Sequence, residues 1–478
     1  MTDAIARDSA LFTDLYELKM LQAYRRERMA GIAVFDLFVR SLPPGRSFLL
    51  AAGIEDALDH LEQLRFRPDE LDYLAGLGDF SPEFVAALAD FRFTGRVRAV
   101  AEGTPVFPHQ PLLEVIAPIA EAQLVETWLI NQVSFQTLAA SKGVRAVLAA
   151  RGKPVIDFGA RRAQGTDAAL KAARAFHLAG FHSTSNVLAG QRYGIPVTGT
   201  MAHSYIEAHD DELAALGEFA ALYPETTLLV DTYDTEAGVR RVIDLARELG
   251  PKFQVGAVRL DSGDLAALAR RARDLLDGTG LQRVRIVASG GLDEYAIAAL
   301  EASGAPIDSY AVGTGVITSD DAPALDSAYK LVEYAGTGRM KLSPRKATLP
   351  GRKQIFRDFA GSIAHGDVIA LHDEMLPGEP LLREVMRDGR RLHARELLAT
   401  QRERAARELA RLPPPLLALD AAPDRYPVRI SDRLRTERER LRAALSDGKG
   451  ALPARVGSAL GSDAPSITTI PSSSTFAG

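Results

Sequence analysis

Apolar and polar positions along the chain fall into two regimes. Over the first 120 or so residues, amphipathic helices alternate with short strands: residues 14–28 carry a helical period and residues 34–40 an alternating one. Segments rich in Pro and Gly, 42–45 and 103–111, break these up. Residues 121–150 read as one nearly unbroken helix with Trp128 and Phe135 on its buried side. From 154 to 317 the pattern changes. Short β-branched or apolar runs recur, each closed by a polar or glycine-rich cluster and followed by an Ala/Leu/Arg segment of helical character. The clusters lie at 157–162, 182–186, 199–203, 231–235, 259–264, 289–291 and 313–315, in steps of 18 to 31 residues. That is the cadence of successive βα units.

This cadence predicts an α/β fold built on an incomplete TIM-like (β/α) barrel, with the clusters at the carboxyl ends of the strands. A doubly wound open sheet alternates in the same way but gathers its functional groups at one switch point. Here nearly every strand end carries them. The expected organisation is an N-terminal α/β domain over 1–125 completed by 335–445, and a barrel domain over 126–334. Residues 340–357 read as strand and loop returning to the first domain, and 388–406 and 430–444 as charged surface helices. The stretch 446–478 is rich in Ser, Thr, Pro, Ala and Gly and is expected to be a disordered tail.

Composition narrows the chemistry. The 478 residues hold 57 Lys plus Arg against 62 Asp plus Glu, a net charge of -5, which argues against nucleic acid or an acidic membrane as partner. The absence of cysteine excludes disulfides, a thiol nucleophile, thiolate zinc and iron–sulfur clusters. No uninterrupted apolar segment opens the chain or reaches the length of a membrane span, so a cytoplasmic location is expected. There is no GxxxxGK[ST] loop, no HExxH, no GxGxxG at a strand-to-helix turn and no His-x-His. Lys153 and Lys171 lie outside the clusters, which disfavours a Schiff base, and LLVDTYD at 228–234 only loosely approaches a type I phosphoribosyltransferase loop.

What remains at the strand ends suits anions and sugars. Arg161, Arg162 and Arg259 can grip a carboxylate or phosphate. The turns Ser289-Gly290-Gly291 and Gly313-Thr314-Gly315 can offer backbone amides to phosphate. Asp261 and Asp264 suit ribose hydroxyls or a Mg²⁺ shared with a diphosphate. Each also has a plainer reading. The arginines can be a solvated pair, the glycines tight turns, Asp261 and Asp264 helix caps, His203 a satisfied loop histidine, and Tyr16 simple packing on its helix.

Specific strings sharpen the choice: TDLY at 13–16, DFGARRAQG at 157–165, SNVLAG at 185–190, GTMAH at 199–203, RLDSGDL at 259–265, Gly313-Thr314 and YKL at 329–331. In this order, across roughly residues 10–357, they resemble the nicotinate phosphoribosyltransferase family. The last 120 residues add little to the match. The resemblance implies a type II phosphoribosyltransferase that converts nicotinate and phosphoribosyl diphosphate, with Mg²⁺ and with ATP as co-substrate, to nicotinate mononucleotide and diphosphate in NAD biosynthesis. It implies that His203 is phosphorylated by ATP, and that Tyr16 stacks on the pyridine, reaching a neighbouring subunit's site in a homodimer with shared active sites. Arg161 and Arg259 would then lie by nicotinate and phosphoribosyl diphosphate, Thr200 beside the substrate, and Thr314 in its glycine turn on the 5-phosphate. Asp261, Ser262 and Asp264 would be ribose or Mg²⁺ contacts. A nicotinamide phosphoribosyltransferase shares this strategy but lacks a substrate carboxylate for the arginines. A catalytically silent binder is expected to have lost His203 or the arginines, and all are present.

Overall fold

The computed structural model describes residues 9–343, 348–420, 422 and 425–446. The tail expected over 446–478 lies outside them, apart from Ser446, which ends the helix Asp432–Ser446. The chain opens with the helix Leu15–Arg26, whose Leu18 and Leu21 face inward. The strand Ile32–Val39 is buried at every position but the first, without the expected alternation. It lies inside a seven-stranded antiparallel sheet, its edges paired with Pro111–Pro118 and Ser327–Tyr334, and burial at successive positions shows that both of its faces are covered.

The long helix expected over 121–150 is two, Ile119–Leu124 and Glu126–Ala149, parted at Val125. The second is the spine between the two halves of the molecule. Trp128 is buried and stacks flat on His60, ring centroids 4.0 Å apart, whereas Phe135 is only half-buried. Burial alone pushes the His60 imidazole down to about 3. Farther along, Ser141 Oγ accepts from the Leu50 amide, and Gly143 packs so close that a Cβ there would sit 2.8 Å from Phe176 of the barrel helix Thr166–Ala179.

Six parallel strands form the barrel wall: Val155–Asp157, Ser183–Thr184, Thr227–Leu229, Ala257–Leu260, Arg285–Ala288 and Ser309–Val312. Their spatial order follows the chain as a ring. The last strand pairs with the first, Tyr310 opposite Val155, and the single break falls between Ser183–Thr184 and Thr227–Leu229. Pairing of first with last closes a barrel rather than winding a sheet both ways, so the incomplete barrel stands.

After the barrel the chain returns twice. Ser327–Tyr334 joins the N-terminal sheet beside Ile32–Val39, and Arg383–Arg387 joins it beside Arg96–Ala99. Between these visits Lys353–Ala360 and Ile363–Leu371 pair at the centre of a separate four-stranded sheet, with Glu379–Pro380 and Val428–Ile430 at its edges, tied to the first by Lys353 Nζ on Asp36 at 2.8 Å. At its centre the fully buried Asp367 accepts from Arg357, Gln110 and Tyr426. The charged helices are Leu398–Ala410 and Asp432–Ser446. Residues 383–391, partly read as helix, are a hairpin turning on Asp388 and Gly389, both at positive φ. An Asp-Gly pair is the signature of such a two-residue turn. Among the described residues, no helix is long and apolar enough to cross a membrane.

Candidate active site

The strand ends meet around one guanidinium. Arg259, on the strand Ala257–Leu260, is 9% exposed and spends its donors on four neighbours. Nε donates to Ser289 Oγ at 2.8 Å and Nη1 to Thr200 Oγ1 at 2.8 Å, with the Met201 carbonyl at 3.4 Å. Nη2 pairs with Asp261 Oδ1 at 3.0 Å, and the cation sits 5.5 Å from the centre of the Phe158 ring. Three strand ends and the 199–203 loop are thereby fixed by a single rigid fork.

Asp261 continues the chain of contacts. Its Oδ1 also accepts from Ser289 Oγ at 2.5 Å, and its Oδ2 lies 3.6 Å from His203 Nε2. Burial pushes this carboxyl up, but the Ser289 hydrogen bond and the Arg259 charge outweigh it and hold it below the ordinary carboxylate value. The other ring nitrogen of His203, Nδ1, is 3.2 Å from Thr232 Oγ1. His203 opens the short helix His203–Glu207, and its side chain is 38% exposed. One imidazole is thus aimed from both sides and open to a ligand.

Asp231 holds the neighbouring backbone in place. Its Oδ2 accepts from the Asp261 amide at 2.9 Å and from Ser262 Oγ at 2.6 Å, while its buried Oδ1 has no hydrogen-bond partner among the described residues. Gly290 lies against the same loop at φ +87°, where a Cβ would come 1.8 Å from the Asp261 carbonyl oxygen. Only glycine fits there. Gly290→Ala is therefore expected to shift Asp261 and Ser289 and to cut turnover at least tenfold, and steady-state kinetics on the folded variant check this. Gly291, at φ +65°, is a turn glycine with open space above it.

The other expected residues divide. Thr200, Arg259, Asp261 and His203 meet directly, and Ser262 adjoins them through Asp231. Asp264 accepts from the Ala267 amide and caps the helix Leu265–Asp277, its plainer reading. Gly313 precedes the single helical turn Thr314–Ile317, and Thr314 is exposed. Arg161 and Arg162 form an exposed turn after the first barrel strand, and neither guanidinium has a protein partner among the described residues. Tyr16 is not packed away: it is 46% exposed on the first helix, with Glu126, Glu17 and Asp14 around it. Burial first, then these carboxylates, raise its phenol.

Sequence reasoning passed over Phe158, Asp231 and Thr232 as individual groups. Asp231 and Thr232 sit within a strand-end cluster, which was the available signal; Phe158 reads as core until Arg259 is seen over its ring. Asp157, at the end of the first strand, accepts from the Gly159 amide at 2.8 Å and Thr184 Oγ1 at 2.7 Å, and burial raises its carboxyl. It fastens two barrel strand ends together. Among the described residues no cluster of three or more His, Asp or Glu side chains could hold a metal unaided. A cleft of about 1120 Å³ is bordered by Asp56, His60, Trp128 and Lys171 and reaches Gln164, Leu188 and Ile317–Ser319 beside the barrel-end turns, while Arg259, Asp261 and His203 are not among its walls.

Comparison with known proteins covers most of the chain. Residues 11–134 match the nicotinate phosphoribosyltransferase N-terminal domain, 154–315 the nicotinate phosphoribosyltransferase family and 376–438 the nicotinate phosphoribosyltransferase C-terminal domain. The nicotinate phosphoribosyltransferase pncB2 of Mycobacterium tuberculosis is 55% identical over 437 residues, 91% of this chain and 94% of that protein. The Bacillus subtilis nicotinate phosphoribosyltransferase is 42% identical over 387 residues, 78% of each chain. The crystal structure of human nicotinic acid phosphoribosyltransferase superposes with a TM-score of 0.80 at 31% identity, covering 91% of this chain and 99% of that one.

Proposed function

The chain belongs to the nicotinate phosphoribosyltransferase family, and we propose that it runs the ATP-coupled form of that family's reaction with His203 as the phosphorylated group. Its activity is the transfer of phosphoribosyl to nicotinate, in NAD biosynthesis. In the coupled form, nicotinate, phosphoribosyl diphosphate, ATP and water give nicotinate mononucleotide, diphosphate, ADP and phosphate. The observation that carries this reading is the joined set Arg259, Asp261, His203, Thr200 and Ser289 at the carboxyl end of the barrel.

A neutral imidazole nitrogen of His203 attacks the γ-phosphorus of ATP; the N–P bond forms, the bridging P–O bond breaks and ADP leaves. Thr232 and Asp261 fix the ring plane, one at each nitrogen. Water later cleaves the N–P bond and releases phosphate. In the transfer step the nicotinate ring nitrogen bonds to ribose C1 as the C1–O bond to diphosphate breaks, and positive charge develops at C1. Arg259 and the unpaired, exposed Arg161 supply the anion-binding charge for nicotinate and phosphoribosyl diphosphate. The flat face of Phe158 beside Arg259 suits a pyridine ring. Thr200 borders the substrate, and Thr314 with the Gly313–Gly315 turn takes the 5-phosphate.

Hard oxygen donors around the diphosphate position fit a magnesium ion shared with substrate, since Asp231 Oδ1 is buried without a partner and Asp261 lies beside it. Asp231 and Asp261 would hold it, with Asp264 occupied as a cap. Bound there, it neutralises charge on the leaving diphosphate. Tyr16 completes the pyridine site of a second subunit in a homodimer, in keeping with its exposure on the first helix. A cytoplasmic location follows from the reaction's substrates.

The test offers nicotinate and nicotinamide in parallel, each with phosphoribosyl diphosphate and Mg²⁺, with and without ATP. Nucleotide from nicotinate that rises with ATP is expected. Nucleotide from nicotinamide alone would move the assignment to the amide enzyme, and none from either would leave a binding protein.

A further inference from the structure

Two glycine turns stand at the barrel end: Gly290-Gly291, which backs onto the Asp261 loop and whose amides suit the phosphorylated substrate, and Gly313–Gly315, placed on the 5-phosphate of that substrate above. The helix after the second is a single turn, and it runs directly into Ser319, a buried non-glycine residue at φ +46°. A non-glycine residue in that region persists only where its surroundings hold it. Here the hold comes from the other half of the molecule. Arg46 Nη2 donates to Ser319 Oγ at 3.1 Å, and Ser319 Oγ donates to the Ala322 carbonyl at 2.9 Å. Asp321 then bridges Arg46 Nη1 at 2.7 Å and Lys142 Nζ at 2.9 Å.

Lys142 belongs to the spine helix Glu126–Ala149, and its side chain is 1% exposed. Besides Asp321 it pairs with Glu294 at 2.8 Å. Glu294 is fully buried, opens the helix Glu294–Ala302 that follows Gly290-Gly291, and also accepts from Arg145 Nε at 2.9 Å. The same ammonium therefore grips the chain just after each turn. The turns touch as well: a Cβ on Gly315 would lie 3.3 Å from Asp320 and 3.6 Å from Asp293. Exposed Asp320 stands 3.7 Å from the same ammonium, but the two close carboxylates, each with a second cationic partner, set the arrangement that satisfies all of them.

We propose that Lys142 is a positioning residue for the phosphate end of the substrate: through Glu294 and Asp321 it sets the spacing of the two glycine turns, and so the affinity for phosphoribosyl diphosphate but not for nicotinate. This rests on the assignment of those turns to the phosphates. Removing Lys142 alone would take one of two cations from the buried Glu294 and risk the fold, so two other variants carry the test. Asp321→Asn, at a partly exposed carboxylate, weakens the pairs with both Lys142 and Arg46 while leaving Lys142 on Glu294. The triple variant Lys142→Met, Glu294→Gln, Asp321→Asn removes the ammonium and both of these carboxylates together, leaving Arg145 and Arg46 to the amide oxygens that replace them. The KM for phosphoribosyl diphosphate is expected to rise threefold or more in the first and tenfold or more in the second, with the nicotinate KM within twofold of wild type and kcat within fivefold. A folded Asp321→Asn protein with an unchanged phosphoribosyl diphosphate KM, or with both KM values raised alike, overturns the proposal. Calorimetric binding of phosphoribosyl diphosphate reads the same shift without turnover. A wild type that makes no nucleotide would thus count against the reaction, and the binding shift would decide the clamp.

Discussion

His203→Ala is expected to abolish the stimulation of nucleotide formation by ATP while leaving a slow, ATP-independent transfer. Within the joined set the imidazole is the group suited to take a phosphoryl group and yield it to water: Arg259 has no lone pair to offer, Asp261 is engaged by Ser289 and Arg259, and a phosphate ester on Thr200 or Ser289 would hydrolyse far more slowly than a phosphohistidine. The side chain of His203 is over a third exposed and starts a five-residue helix, so its loss opens no cavity in the core. Rates with and without ATP, read beside a melting temperature within a few degrees of wild type, make the check. Full ATP coupling in the variant would remove His203 from the phosphoryl path.

Arg259→Ala is expected to be the more damaging change for substrate binding. Its guanidinium carries an ion pair with Asp261 and hydrogen bonds to Ser289 and Thr200, and each charge-assisted contact is worth about 1.5–3 kcal/mol. Truncation also leaves Asp261 without its cation. The KM for nicotinate or phosphoribosyl diphosphate should rise tenfold or more, and kcat/KM should fall roughly 10²-fold, about 3 kcal/mol of transition-state stabilisation. Arg259→Lys should recover only part, because an ammonium cannot reproduce the fork that meets Ser289, Thr200 and Asp261 together. Kinetics indistinguishable from wild type would place Arg259 outside the site.

The barrel was legible because its signal repeats: each buried run ends in polar residues that have no structural reason to recur so regularly. The same logic exposed Arg259 and Asp261, at such an end, and the 199–203 cluster with Thr200 and His203, which follows not a strand but the isolated bridge of Val197 to Thr184. Other features left weaker traces. Ile32–Val39 loses its alternation because the sheet is covered on both sides, and the chain at Val125 breaks a helix without Gly or Pro to announce it. The Asp388-Gly389 turn was masked by the arginines around it, which suit a surface helix equally well. Asp231 and Thr232 could not be weighed singly, since their importance lies in which strand end stands next to theirs, and neighbour order is set by closure of the ring rather than by local pattern.

That closure also bears on how the molecule is made. Val155–Asp157 must wait for Ser309–Val312 to reach its second neighbour, and Ile32–Val39 must wait longer still for Ser327–Tyr334. At about 5–20 residues per second, the nascent chain holds the first barrel edge open for on the order of 10–30 s. Long-range pairings of this kind cannot form early, however stable they are once made. Neither half is finished when it leaves the ribosome, so heterologous production should depend more on chaperone supply and growth temperature than on the final stability of the enzyme.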